Sequence, residues 1–153
     1  MPVKPAYKYF LEEIMADGKR PTVATVFGVL NIVLSGLGLV FGILAVGVTL
    51  TLLSSMPIQA VVSLIGLLLS ALGVFSGILL ITNKKNALSI TNMYVIGSIV
   101  VALIGVVNTV ITVGMAGVFA GIVGLLISLI YPALVYFLVL KSEPVKSFYN
   151  SQG

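Results

Sequence analysis

Apolar and charged positions separate almost completely along this chain. Four long apolar stretches, at about 22–47, 58–82, 89–113 and 117–140, contain no Lys, Arg, Asp or Glu. Each is long enough for a helix that crosses the ~30 Å hydrocarbon core of a bilayer. The pattern therefore predicts an all-α membrane protein, built as an antiparallel bundle of four transmembrane helices.

The charged residues predict how this bundle is oriented. All eight Lys and Arg residues lie in an N-terminal segment at 1–20, in the loop between spans 2 and 3, or in a tail at 141–153. The transmembrane domain at 21–140 carries no basic residue in its other two connections. Because basic residues favour cytoplasmic loops, we expect an integral protein of the cell (inner) membrane with both termini in the cytoplasm.

The first apolar stretch is longer than a bilayer requires. Apolar character continues to Leu53, and an unbroken helix from Thr22 would reach ~48 Å. We expect this helix to tilt, to protrude, or to break near 42–47.

The segment at 5–17 has the pattern of a short amphipathic helix, with Tyr7, Phe10, Leu11 and Ile14 recurring at helical spacing. The other face carries charged residues, which predicts a helix lying on the inner membrane surface. The alternative is a helix packed on the cytoplasmic domain of a partner.

Small and weakly polar residues recur on one stripe of each span, at steps that alternate between three and four. This spacing predicts packing seams of a left-handed bundle, where small side chains let helices approach closely. The predicted packing residues are Gly28, Asn31, Ser35, Gly38, Gly42, Ser70, Gly73, Gly77, Gly105, Gly117, Gly121, Gly124 and Ser128. The alternative is a polar pathway lined by Asn31, Ser35, Ser70, Asn108 and Thr109.

Span 4 also contains Pro132. A proline lacks the N–H that would bond the Ser128 carbonyl, so the sequence predicts a kink there.

Recognition of a partner is expected on the cytoplasmic side. The loop after span 2 carries Lys84 and Lys85, and the tail places Val145, Phe148 and Tyr149 on one helical face. That face is suited to docking on a partner or on lipid.

Composition narrows the chemistry. The chain is 59% hydrophobic and 8% charged, and it contains no Cys, His or Trp. Catalysis by thiolate or imidazole is excluded, as are metal sites built from those ligands. The four carboxylates, Glu12, Glu13, Asp17 and Glu143, all flank the spans. We therefore predict no catalytic site, no cofactor and no metal. We also predict no nucleic-acid partner, because the net charge of +4 comes from basic residues beside the spans, where they set the orientation in the membrane.

Several short motifs resemble a group of small four-span bacterial membrane proteins of uncharacterised function. They are GVLNI at 28–32, GILL at 77–80 followed by Lys84 and Lys85, YP at 131–132 with FL at 137–138, and VKSF at 145–148. The resemblance implies an inner-membrane location and carries no activity with it.

Two functions fit these features. The first is a non-catalytic structural or accessory subunit, which packs in the bilayer on other membrane-protein subunits or on copies of itself. The alternative is a small oligomeric channel or transporter for a neutral solute. Ion-coupled transport is disfavoured, because ionisable residues inside the membrane normally mark such pathways.

Overall fold

The protein is helical in the part of the chain that the structure describes. This computed structural model describes residues 20–55 and 57–151, without the side chains of residues 52–54, 115 and 116. Its helices are α1 (Thr22–Ser55), α2 (Pro57–Ile81), α3 (Ala87–Val113), α4 (Met115–Val135), a π-helical segment (Tyr136–Leu140) and α5 (Glu143–Asn150). The predicted surface helix at 5–17, with Tyr7, Phe10, Leu11 and Ile14, lies outside these residues.

Four of these helices are long and apolar enough to cross a membrane. The spans are Thr22–Thr51, Pro57–Ile81, Ala87–Val113 and Gly117–Leu140. They satisfy their backbone hydrogen bonds internally, as the hydrocarbon core demands. The prediction of an all-α, four-helix membrane bundle is confirmed.

Helix α1 runs without a break through Gly42 and Gly47 to Ser55. Its 34 residues correspond to ~51 Å at 1.5 Å per residue. Of the three expected outcomes, the break is therefore ruled out. A break would leave backbone polar groups unpaired in lipid, at several kcal/mol each, whereas a glycine within a helix costs only ~1 kcal/mol.

Short connections make consecutive helices antiparallel. Only Met56 separates α1 from α2, and Gly114, at a φ of 71°, separates α3 from α4. Between α2 and α3, Asn83 has a φ of 56°, which asparagine tolerates better than most residues. The Lys84 N–H then donates to the Leu79 carbonyl at 3.2 Å, which ends α2 in the manner of a Schellman motif.

The antiparallel order brings the described basic residues to one end of the bundle, which we call the basic end: Arg20, Lys84, Lys85, Lys141 and Lys146. The most tightly packed part of the protein lies in the adjoining half. The largest fully buried side chains are all there: Asn31, Ser76, Leu80, Thr91, Val95, Val135, Val139, Val145 and Tyr149. In the opposite half, Leu44, Leu68 and Phe119 are 70–77% exposed, as suits contact with lipid.

Helix α4 changes its winding close to the basic end. Pro132 is buried, and the α-helix continues past it to Val135. The π-helical segment follows, and the Lys141 N–H donates to the Tyr136 carbonyl at 2.9 Å. The predicted kink at Pro132 remains a prediction, and the irregularity that the structure shows begins four residues later.

Candidate functional site

A buried hydrogen-bond network joins all four transmembrane helices near the basic end. The Tyr131 hydroxyl of α4 donates to Asn31 Oδ1 of α1 at 2.5 Å. Asn31 Nδ2 donates to Ser76 Oγ of α2 at 3.2 Å, and Ser76 Oγ lies 2.8 Å from Thr91 Oγ1 of α3. Asn31, Ser76 and Thr91 are completely buried. One polar side chain from each helix therefore meets at a single level of the bundle.

The direction of each hydrogen bond in this network follows from its last member. The Thr91 hydroxyl donates to the Ala87 carbonyl at 2.8 Å, so Thr91 Oγ1 accepts from Ser76. Ser76 in turn accepts from Asn31, and Asn31 accepts from Tyr131. Each hydroxyl of the network donates once to an acceptor of the protein, and Asn31 Nδ2 uses one of its two N–H groups for Ser76. Because an unpaired polar group in hydrocarbon costs several kcal/mol, this network fixes the rotation of the four helices relative to one another.

A second polar pair lies next to the network. The Ser35 hydroxyl of α1 donates to the Tyr94 hydroxyl of α3 at 3.3 Å, and both residues are buried. Gly73 of α2 makes the space for this pair, since a Cβ there would lie 2.1 Å from Ser35 Oγ and 2.7 Å from Tyr94 Cε2. A glycine at this point of α2 is needed for α1 to reach α3.

The backbones of α1 and α2 touch one helical turn nearer the basic end. A Cβ on Gly77 would lie 2.5 Å from the Gly28 carbonyl oxygen, and one on Gly28 would lie 3.2 Å from the Gly77 carbonyl oxygen. The two helices separate gradually from there. A Cβ on Gly38 would lie 2.9 Å from Ser70 Oγ, and one on Gly42 would lie 2.7 Å from Leu67 Cδ1. The structure thus places all the predicted packing residues of spans 1 and 2 between these two helices.

The predicted packing residues of α3 and α4 are only partly brought together. A Cβ on Gly117 would lie 2.7 Å from the Thr109 carbonyl oxygen, and one on Gly121 would lie 3.2 Å from Val106 Cγ1. Gly105 and Gly124 have no such neighbour within 4 Å. Ser128 is exposed and donates to the Gly124 carbonyl of its own helix.

The gap left at these positions is a shallow cavity of about 180 Å³, which we call the α3–α4 groove. It is lined by Ala102, Gly105, Val106, Thr109, Ala120, Gly121, Gly124, Leu125 and Ser128. The sequence predicts that the small residues of α3 and α4 pack against each other. The structure leaves Gly105, Gly124 and Ser128 open to the surroundings of the protein.

The C-terminal helix α5 folds back against the basic end. The Tyr149 hydroxyl donates to the Leu80 carbonyl at 2.6 Å, which caps one of the free carbonyls at the end of α2. Val145 and Tyr149 are each 1% exposed, and Phe148 is half-buried with its ring 5.2 Å from that of Tyr149. Burial raises the pKa of Tyr149 to about 12, against the opposing effect of the positive charge on Arg20.

This arrangement differs from the expected role of the tail. The face that carries Val145 and Tyr149 is covered by the protein's own helices, so in this structure Tyr149 is not presented to a partner. The physical reason is that α5 has an apolar face and a nearby apolar surface to cover. Lys84 and Lys85, in contrast, are exposed at the loop after α2.

The buried network was not predicted from the sequence. Asn31 was selected as a packing residue, whereas Ser76 and Thr91 were not selected. One signal in the sequence could have indicated it. Each of the four network residues lies within ten residues of the end of its span that is next to a charged segment, so all four lie at a similar depth in the membrane. Of the residues of the alternative polar pathway, Ser70 and Thr109 donate to carbonyls of their own helices.

These observations define the class of the protein. Four apolar spans, joined inside the bundle by a satisfied polar network, make it a four-span integral membrane protein. Comparison with known proteins finds no family model that matches the chain, and no similar curated protein or solved structure.

Proposed function

We propose that this protein is a non-catalytic accessory or structural subunit of the inner membrane, with its basic end in the cytoplasm. It would pack through α3 and α4 on another membrane protein or on a second copy of itself. The resemblance to small four-span bacterial membrane proteins fits this location.

The observation that carries the proposal is the open α3–α4 groove. Gly105, Gly124 and Ser128 are small, yet no side chain of the described residues fills the space beside the two glycines. Small residues in membrane helices let another helix approach closely. Such packing matters in a bilayer, because lipid tails cover large apolar side chains as well as another helix does. A groove of this kind suits a helix from outside the chain.

The buried network supports a scaffold role for the rest of the bundle. Its amide and hydroxyl groups bond one another across the four helices, at Asn31, Ser76, Thr91 and Tyr131. A network whose hydroxyls all donate to acceptors of the protein itself holds a fixed shape and leaves little for a passing solute to bind. This favours an accessory subunit over the alternative of a channel or transporter for a neutral solute.

Cross-linking in native membranes tests this proposal. The chain has no cysteine, so single-cysteine variants report one position each. We expect Gly124→Cys, in the groove, to form disulfide- or maleimide-linked adducts of defined mass. The matched control is Leu126→Cys, which is two residues away on the opposite face of α4 and is 62% exposed in the wild type. Equal adduct yields from both variants would show that the groove is covered by lipid alone.

The orientation of the protein is tested separately. Ser55 and Lys84 are both exposed, at opposite ends of the bundle. In intact cells, Ser55→Cys is expected to react with a membrane-impermeant maleimide, and Lys84→Cys only after the membrane is opened. Labelling of both positions in intact cells would refute the cytoplasmic placement of the basic end.

A further inference from the structure

A second cavity lies at the basic end, between the end of α2 and the start of α3. It has a volume of about 360 Å³ and is lined by Phe75, Leu79, Lys84, Lys85, Asn86 and Ile90. We call it the basic groove. It shares no lining residue with the α3–α4 groove or with the buried network.

The basic groove has one polar end and one apolar end. Lys84, Lys85 and Asn86 are exposed at the loop, while Leu79 and Phe75 follow at successive turns down α2. On α3, Ile90 lies one turn beyond Asn86, on the same face of the helix. The apolar walls therefore run from the charged rim toward the middle of the membrane, which is the direction that a lipid acyl chain takes.

The two lysines at the rim have no carboxylate partner among the described residues. Within the part of the chain that the structure describes, neither Lys84 nor Lys85 makes an ion pair. Glu143, the single described carboxylate, pairs instead with Lys146 at 2.9 Å. The rim thus carries two positive charges that no described carboxylate neutralises, and these charges can meet an anion.

The start of α3 lies at the same rim, and it adds to the positive electrostatic potential of the two lysines. Asn86 is the N-cap residue, and its side chain makes no capping hydrogen bond. The first turn of a helix presents unpaired N–H groups and the positive end of the helix dipole, both of which favour an anion. In this protein the Ala87 N–H is bonded to the Lys84 carbonyl at 2.9 Å, and Asn86, immediately before the first turn, lines the groove beside the two lysines.

We propose that the basic groove binds one anionic phospholipid. Its phosphate lies between Lys84, Lys85 and the first turn of α3, and one acyl chain lies along Leu79, Phe75 and Ile90. Basic pockets between transmembrane helices recognise anionic headgroups by this chemistry. The apolar walls distinguish a phospholipid from a soluble phosphate, because only the phospholipid covers them.

Native mass spectrometry of the full-length protein in mild detergent tests the proposal. The probes are dioleoyl phosphatidylglycerol, which is anionic, and dioleoyl phosphatidylcholine, which has no net charge. We expect the wild type to retain one phosphatidylglycerol in preference to phosphatidylcholine. The double variant Lys84→Gln/Lys85→Gln is expected to lose this preference by roughly thirtyfold, since each lysine near a membrane surface favours an anionic lipid by about fivefold.

The matched control is Lys141→Gln/Lys146→Gln. It removes the same charge from the same end of the protein, at residues that contact Tyr136 and Glu143 and lie outside the groove. We expect it to keep the preference. An equal loss in both double variants would overturn the proposal, because it would show a diffuse charge effect without a site.

Two further measurements address the apolar walls. Phe75→Ala, at a side chain that is 50% exposed, should weaken retention of phosphatidylglycerol without removing any charge. Glycerol 3-phosphate, at concentrations far above that of the lipid, should not displace it. Displacement by glycerol 3-phosphate, or full retention in Phe75→Ala, would show that a soluble anion suffices and would also overturn the proposal. The melting temperature of each variant, measured without added lipid, controls for folding.

Discussion

Replacing Gly77 by alanine is expected to lower the free energy of unfolding in detergent by about 1–3 kcal/mol, the cost of overpacking a filled interior. The added Cβ would lie 2.5 Å from the carbonyl oxygen of Gly28. That atom belongs to the backbone of α1, so it moves only if the whole helix moves. Separation of α1 from α2 would also strain the hydrogen bond between Asn31 and Ser76, which crosses the same helix pair.

The control for this variant is Gly66→Ala on the same helix. No atom lies within 4 Å of a Cβ built on Gly66, so the substitution should leave the free energy of unfolding unchanged or raise it by up to about 1 kcal/mol, through better helix propensity. Reversible unfolding in mixed detergent measures both variants. Equal stability of the two would contradict the close contact of α1 with α2.

Replacing Asn31 by leucine is expected to destabilise the protein by a similar amount, about 1–3 kcal/mol, because the Tyr131 hydroxyl loses its acceptor inside the bundle. Leucine keeps the branching of the side chain but is larger than asparagine, so some of this effect comes from packing at a completely buried position. Ser76 keeps its hydrogen bond to Thr91 but loses the one from Asn31.

Two variants separate this effect from a general cost of changing an asparagine. Asn108→Leu changes a half-buried asparagine of α3 that does not belong to the network, and it should be close to neutral. Asn31→Leu made in a Tyr131→Phe background should cost less than in the wild type, since no tyrosine hydroxyl is left unpaired. Additive effects of the two substitutions would show that Tyr131 and Asn31 do not act together.

The arrangement of the helices could be predicted because it depends on strong, local signals. Uninterrupted apolar runs specify spans, and the turn at Gly114 follows from a glycine between two such runs. The end of α1 was harder to predict, because residues 22–56 contain no charged residue and no proline. A glycine alone does not stop a helix in an apolar run. The helix continues to Ser55, eight residues beyond the predicted span boundary at 47, as the expected tilt or protrusion allows.

The candidate site could be predicted only in part. Spacing of small residues indicates which positions permit close approach, but it does not distinguish Gly38, Gly73 and Gly121 from one another. The structure distinguishes them, because a Cβ on Gly73 would lie within 3 Å of two side chains, whereas the nearest neighbour of a Cβ on Gly121 is one valine at 3.2 Å. Serine and threonine are common residue types in membrane helices. Ser76 and Thr91 gain their role only from contacts between distant parts of the chain, which a single sequence does not show.

The position of the buried core also has a mechanical consequence. The largest buried side chains, the polar network and the cap from Tyr149 to Leu80 all lie in one half of the bundle. Force applied at Ser55 and Pro57 would first separate the outer halves of α1 and α2, in small steps against little resistance. Rupture of the basic half would come last and in a single large event, because its four helices and α5 are tied to one another and yield together.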